Sequence, residues 1–302
     1  MALRRGDWTL LLLLSMLWGG AFFFVAVAVR DLPPLTVVVL RTGIAAAVLA
    51  VVLRAGGRTP RLAMDTLGPY AAMGLLNNVV PFSLLFWAQT AITSGLAAIL
   101  NATTPLFAML LAHVLLKDEP MAWNRVGGVL LGIVGVAMLL GFSLRSGADV
   151  GDLAMVACLL AAASYGMASV YGRRFRAMRL QPIQVACGQL LASTVIMLPV
   201  VGMVDAPWRL APPGMPAVAA VIALATVSTA LAYVVFFRLL ASVGAVDTAL
   251  VTLLIPPSAV ALGWLFLDEL LEPHQLAGMG IIALGLLMVD GRLGARLPAR
   301  RR

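Results

Sequence analysis

Ten apolar runs follow one another along the chain, near residues 8–29, 34–53, 67–88, 94–116, 124–142, 152–171, 182–202, 216–238, 246–267 and 275–290. A helix needs about 20 mostly apolar residues to cross the hydrocarbon core of a bilayer. Each run has roughly that length, the last being the shortest. Charges, glycines and prolines gather between them, as in "RDLPP" at 30–34, "RAGGRTPR" at 54–61, "KDEP" at 117–120, "GRRFRAMR" at 172–179 and "DELLEPH" at 268–274. A soluble core of this size cannot hide so much apolar surface. Charged residues are 11% of the 302 and mean hydropathy is +1.02, whereas soluble domains carry about 25% charged residues. The expected fold is therefore an all-α integral membrane protein with ten transmembrane helices.

The formal charge of +8 invites a nucleic-acid reading. Its distribution opposes that, because the basic residues sit in short clusters between apolar runs and so orient a membrane protein. Arg4, Arg5, Arg54, Arg58, Arg61, Lys117, Arg125, Arg173, Arg174, Arg176, Arg179, Arg238 and the tail at 292–302 fall on the N-terminal side. Arg30, Arg145 and Arg209 fall on the other, and Arg41 alone lies within a span. The positive-inside rule then places both termini in the cytoplasm, in a membrane of the bacterial inner-membrane type. The first run follows Arg4 and Arg5 as a signal-peptide core would, with "AVA" at 26–28 as a cleavage-like alternative. Its length exceeds a signal core of roughly 7–15 residues, so it reads as the first span.

The two halves of the chain repeat. "TSGLAAILNATTPLF" from Thr93 aligns with "GAVDTALVTLLIPPS" from Gly244, setting Pro105 on Pro256. "KDE" at 117–119 matches "LDE" at 267–269, "VGGVLLGIVG" at 126–135 matches "LAGMGIIALG" at 276–285, and Trp18-Gly19 matches Tyr165-Gly166. Each half holds five spans. Five is odd, so the second half enters the membrane from the opposite side, and the repeats are inverted. Such repeats recur in secondary transporters, with the site at the repeat interface near the midplane. An inherited helix bundle with no transport role is the plainer alternative. The boundary between repeats is expected at 145/146, giving 1–145 for spans one to five and 146–302 for spans six to ten with a short basic tail.

These stretches, with "LWGGAFF" at 17–23 and "PLTVVVLRTGIAA" at 34–46, make the chain resemble the drug/metabolite transporter superfamily, specifically its ten-helix members with two EamA domains. Among those it resembles aromatic amino-acid exporters of the YddG type. The resemblance spans nearly the whole chain. It implies a small-molecule exporter or permease, whose substrates in such a family include amino acids, other metabolites and drugs.

Polar residues inside spans are costly in lipid and so are candidates for function. Arg41, about 12 Å into the second span at 1.5 Å per residue, is either a partner for a substrate carboxylate, a gate ion pair, or a buried cation holding backbone carbonyls. Asn77 and Asn78 lie near the middle of the third span, where amides suit an ammonium and a carboxylate or bond between helices. Adjacent helical residues point about 100° apart, so only one of the two need face a cavity. Trp18 lies too deep for the interfacial belt and, with Tyr165, either stacks on a substrate or packs in the core. Trp87, Trp123 and Trp264 fit the belt. Asn101 and Thr104, with Thr252 in the second repeat, interrupt apolar runs, and Gln189 and Tyr233 are further site candidates. Pro81, Pro105 and Pro256 are candidate hinges beside a central cavity. The glycine-rich stretches of the fifth and tenth spans read as close-packing stripes.

All 13 acidic residues fall outside the span interiors. The intramembrane carboxylate relay of many proton-driven carriers is therefore not evident. Cys158 and Cys187 sit apart in apolar runs and His113 and His274 are separated, so neither a metal site, a cofactor nor enzyme chemistry is expected. There is no phosphate-binding P-loop. The favoured reading is a secondary transporter exporting small metabolites, most of all neutral or aromatic amino acids, by alternating access. The alternatives are a nucleotide-sugar or other metabolite or drug permease, which would call for more cations along the cavity, and a membrane scaffold without transport. The partners expected are a small-molecule substrate and membrane lipids, with no nucleic acid. The expected state is a monomer, with a homodimer as the alternative.

Overall fold

The computed structural model describes residues 5–116, 123–140 and 149–289. Among these the chain forms ten helical spans: α1 (Arg5–Ala28), α2 (Pro34–Ala55), α3 (Met64–Ala88), α4 (Ser94–Leu115), α5 (Trp123–Leu140), α6 (Val150–Gly172), α7 (Pro182–Val204), α8 (Met215–Gly244), α9 (Val251–Leu267, preceded by one turn at 245–248) and α10 (Pro273–Val289). Eight have the length and hydropathy of membrane spans, and α9 and α10 are shorter apolar helices. The protein is thus an all-helical multi-pass membrane protein. Large apolar side chains such as Leu12, Leu130, Ile133, Val195 and Leu284 cover its outside, as lipid requires. Trp87, Trp123 and Trp264 are exposed near helix ends, where belt residues lie. The "KDE" segment at 117–119, Arg145, the 145/146 boundary and the basic tail from 292 lie outside the described residues.

Prolines and glycines set the ends. Pro34 and Pro182 occupy the first positions of α2 and α7, where the missing N–H leaves no bond unmade. Gly244 takes φ 79° and ψ 178°, a conformation open to glycine, and ends α8 there.

The packing repeats with the sequence. α1 packs on α9 as α6 packs on α4, α3 on α6 as α8 on α1, and α3 on α7 as α8 on α2. The pairs α2·α7, α4·α9 and α5·α10 map onto themselves. Exchanging helix n for helix n + 5 therefore preserves the packing. The equivalence reaches single residues. A Cβ on Gly19 would collide with Ser258 and Ala259, and one on Gly166 with Phe107 and Ala108. Those partners are themselves equivalent in the register that sets Pro105 on Pro256. In α5 and α10, Gly128 meets the Gly285 backbone and Gly135 the Gly278 backbone, as expected of close-packing stripes.

Two spans carry π turns at equivalent places, Leu75–Val79 in α3 and Thr226–Leu231 in α8. In α3 the cause is legible. Pro81 has no N–H for the Asn77 carbonyl, and the Val80 amide reaches back to the Leu75 carbonyl, one residue further than in an α-helix. α8 has no proline there; the Thr229 hydroxyl donates to the Leu224 carbonyl at 2.7 Å.

α4 breaks at Ala102–Thr103, and a new segment starts at Thr104 with Pro105 in its first turn. Pro256, expected as the equivalent hinge, has no such break beside it. α9 runs unbroken through Pro256 and Pro257, and its break lies at 249–250, one turn nearer the start of the span. Pro256 is the sixth residue of that helix, so it withholds a donor from the Thr252 carbonyl without interrupting the helix.

Candidate functional site

The two halves enclose a central cavity of about 570 Å³. It reaches from Arg176, Leu180 and Pro182, beside the arginine-rich α6–α7 connection, to Val25 and Gln89 near the opposite face. Arg176 is exposed, whereas Val25 and Gln89 are buried. The cavity thus opens towards the basic face, which carries Arg54, Arg58, Arg61 and the cluster at 173–179, and is blind at the other.

Of the residues singled out from sequence, Trp18, Arg41, Asn77, Asn101, Thr104, Tyr165, Gln189, Tyr233 and Thr252 all line this cavity. Asn78 does not. It is fully buried between helices, where its Nδ2 donates to the Ser193 Oγ at 2.9 Å, since it points about 100° away from Asn77. Pro81, Pro105 and Pro256 do not line the wall either, but each follows a lining polar residue by four positions. Pro81 withholds a donor from the Asn77 carbonyl, Pro105 from Asn101 and Pro256 from Thr252. At Asn101 the Thr104 hydroxyl takes over, donating at 2.7 Å.

Arg41 is 8% exposed. Its Nε donates to the Thr229 Oγ1 at 3.0 Å, and its guanidinium lies 3.9 Å from the Phe82 ring centroid and 5.7 Å from that of Phe86. Among the described residues no carboxylate pairs with it and its two terminal nitrogens make no hydrogen bond. Asn78 and Thr229 occupy equivalent positions in the two π turns, and each bonds to a span of the other half, Asn78 to Ser193 in α7 and Thr229 to Arg41 in α2. Both bonds dock a π turn onto the neighbouring span. Counted from Pro34 and Pro182, which start α2 and α7, Arg41 falls on Gln189, so one half carries a cation where the other carries an amide.

Across from Arg41 the amides form a cluster. Asn77 Nδ2 donates to the Gln189 Oε1 at 3.3 Å and to the Tyr233 Oη at 3.4 Å, and Gln189 Nε2 donates to the same Oη at 3.1 Å. Aromatic rings frame these groups: Trp18 against Phe236 at 5.4 Å, Tyr233 against Phe237 at 5.9 Å, Phe82 against Tyr165 at 6.4 Å. No Asp or Glu lines the cavity among the described residues. Three polar atoms on the wall, Gln89 Oε1, Asn101 Oδ1 and Ser228 Oγ, are buried without a hydrogen-bond partner.

Sequence reading missed Phe82, Phe86, Gln89, Ser228, Thr229 and Phe236, all of which line the cavity. An aromatic residue in an apolar run carries no mark of which way it faces. Ser228 had a usable signal, because the repeat register sets it on Asn77.

At the face where the cavity is blind, carboxylates from one half cap helix starts in the other. The Asp205 Oδ2 accepts from the Thr36 amide at 2.8 Å and hydroxyl at 2.6 Å. The Glu269 Oε2 accepts from the Ser94 amide at 2.9 Å and hydroxyl at 2.6 Å. The Asp31 Oδ2 accepts from the Gly214 amide at 2.9 Å. Each satisfies orphan amides and the positive end of a helix dipole.

A family model described as the EamA-like transporter family matches residues 7–141 and again 152–289. Among curated relatives, a probable terminal-alkyne amino-acid exporter of Streptantibioticus cattleyicolor is 28% identical over 99% of this chain and 98% of its own. An S-adenosylmethionine/S-adenosylhomocysteine transporter of Chlamydia trachomatis is 26% identical over 93% of this chain and 88% of its own. A crystal structure whose chain is 20% identical matches with a TM-score of 0.67 over 97% of this chain and all of that one.

Proposed function

The chain belongs to the EamA-like transporter family, and from that premise we propose that it is a secondary transporter exporting small metabolites, amino acids foremost, by alternating access of the central cavity. The observation that carries the substrate class is Arg41: a buried cation with unused donors, backed by aromatic rings and facing a wall without carboxylates. A substrate carboxylate supplies the missing charge and takes a charge-assisted bond. The amide cluster of Asn77, Gln189 and Tyr233 offers oxygen acceptors to an ammonium group, and the rings take an apolar or aromatic side chain. Trp18, Asn101, Thr104, Tyr165 and Thr252 complete the same wall. The named exporter of amino acids among the relatives supports this reading without fixing the solute.

In this proposal the two repeats rock about their interface, both termini are cytoplasmic, the membrane is the bacterial inner membrane, and one chain acts as a monomer. The basic face is then the inner one, and the cavity stands open to the cytoplasm, ready to load a solute for export. The solute runs down its own gradient or couples weakly.

Counterflow in proteoliposomes with a panel of amino acids and S-adenosylhomocysteine tests the reading. Flux of carboxylate-bearing solutes is expected, reduced at least about tenfold in Arg41→Ala, the scale of one lost charge-assisted bond. Equal flux in the parent and in Arg41→Ala would overturn the carboxylate assignment. No flux of any solute would favour a scaffold role.

A further inference from the structure

Gln89 ends α3 at the blind end of the cavity. It is 8% exposed and lines the cavity, and its Oε1 is buried with no partner among the described residues. Its Nε2 donates to the Leu85 carbonyl at 3.4 Å, one turn back on the same helix, and that bond leaves the amide oxygen unused. A buried amide oxygen without a donor is unfavourable unless something occupies the site. Phe82, Phe86 and Gln89 fall at i, i+4 and i+7, one stripe of α3. Arg41 sits over the Phe82 end of that stripe. Gln89 lies about 10 Å further along it at 1.5 Å per residue. A small solute lying on the two rings therefore meets a cation at one end and a bare acceptor at the other.

We propose that Gln89 is a specificity-determining residue: with the solute's carboxylate at Arg41 and its body along Phe82 and Phe86, the Gln89 amide oxygen accepts a hydrogen bond from a donor at the far end. The class selected is an amphiphile with a carboxylate at one end and a hydroxyl or ring N–H at the other. This rests on the carboxylate assignment to Arg41 made above. A solute ending in a plain hydrocarbon leaves the oxygen unpaired, and a site built to bond a polar group rejects the analogue lacking it.

The test uses solutes that differ at that end alone. In proteoliposome counterflow, tyrosine is expected to compete about tenfold or more better than phenylalanine and O-methyltyrosine, which retains the oxygen but lacks the donor. Gln89→Leu should bring the three within about twofold of one another while phenylalanine flux persists. The comparison of tyrosine with O-methyltyrosine on the unaltered protein stands whether or not the variant folds. Transport of all three without preference overturns the role of Gln89, as does a preference that survives Gln89→Leu. Absence of flux for every amino acid overturns the carboxylate reading, and this one with it.

Discussion

Arg41 shows how one residue's surroundings decide its use. Its Nε is engaged by Thr229 and its face by Phe82, so the side chain is held in place while its terminal nitrogens remain unused. A cation over an aromatic face gains roughly 0.5–2 kcal/mol. Phe82→Leu keeps the volume apolar and removes that support. The expected outcome is a severalfold rise in the half-saturating solute concentration in a direct binding assay, with the amount of inserted protein unchanged. Much at this scale was readable beforehand. Asn77, Asn101 and Thr252 each precede a proline by four residues, and each lines the cavity. A polar residue and a withheld backbone donor at that spacing mark one helix face in the sequence itself. Asn77 and Asn78 could not be told apart, because two adjacent amides differ only in direction, and direction is set by neighbours on α7 and α8. Phe86 and Gln89 escaped for the same reason.

At the scale of elements, the spans are interrupted where function is expected. The π turns in α3 and α8 and the break in α4 all fall beside the cavity, and none falls in α5 or α10. Insertions of this kind concentrate at functional sites. The carboxylate caps belong to this scale too. Glu269 joins the end of α9 to the start of α4 across the two halves, so the blind end cannot open without parting them. Glu269→Gln keeps the shape and removes the charge, and a carboxylate at a helix N-terminus is worth up to about 2 kcal/mol. With Cys158 and Cys187 replaced by serine and Val25→Cys as reporter, this variant is expected to react faster with an impermeant thiol reagent applied from the face of the α3–α4 connection. An unchanged rate would mean that the cap does not hold that end shut. The spans themselves were plain from apolar run length. The caps were not, since Asp205 and Thr36 are separated by 169 positions and nothing local in either segment announces the partner.

For the whole molecule, the internal repeat was the most informative feature of the sequence, because one register aligns the glycines, the π turns and the helix pairs together. The scaffold obeys it closely and the chemistry does not. Arg41 stands opposite Gln189, Asn101 opposite Thr252, and the breaks in α4 and α9 differ by a turn. A repeat preserves what packing demands of both halves, and a single solute without twofold symmetry gives the wall no reason to be symmetric.

That asymmetry leaves one unbalanced positive charge at the centre of the membrane domain, and such a charge responds to voltage. An elementary charge crossing the full field gains or loses about 2.3 kcal/mol per 100 mV, and Arg41 would traverse some fraction of it when the empty halves rock. A potential negative on the basic face holds the vacant cavity open to that face. A zwitterion brings no net charge, so loading it leaves this bias in place, whereas a monoanion would cancel it. Transient currents from solute-free proteoliposomes on a solid-supported membrane should therefore follow a voltage or ion jump in the parent and vanish in Arg41→Gln. The resting orientation of the transporter would then be set by the energy state of the cell as much as by the solute it carries.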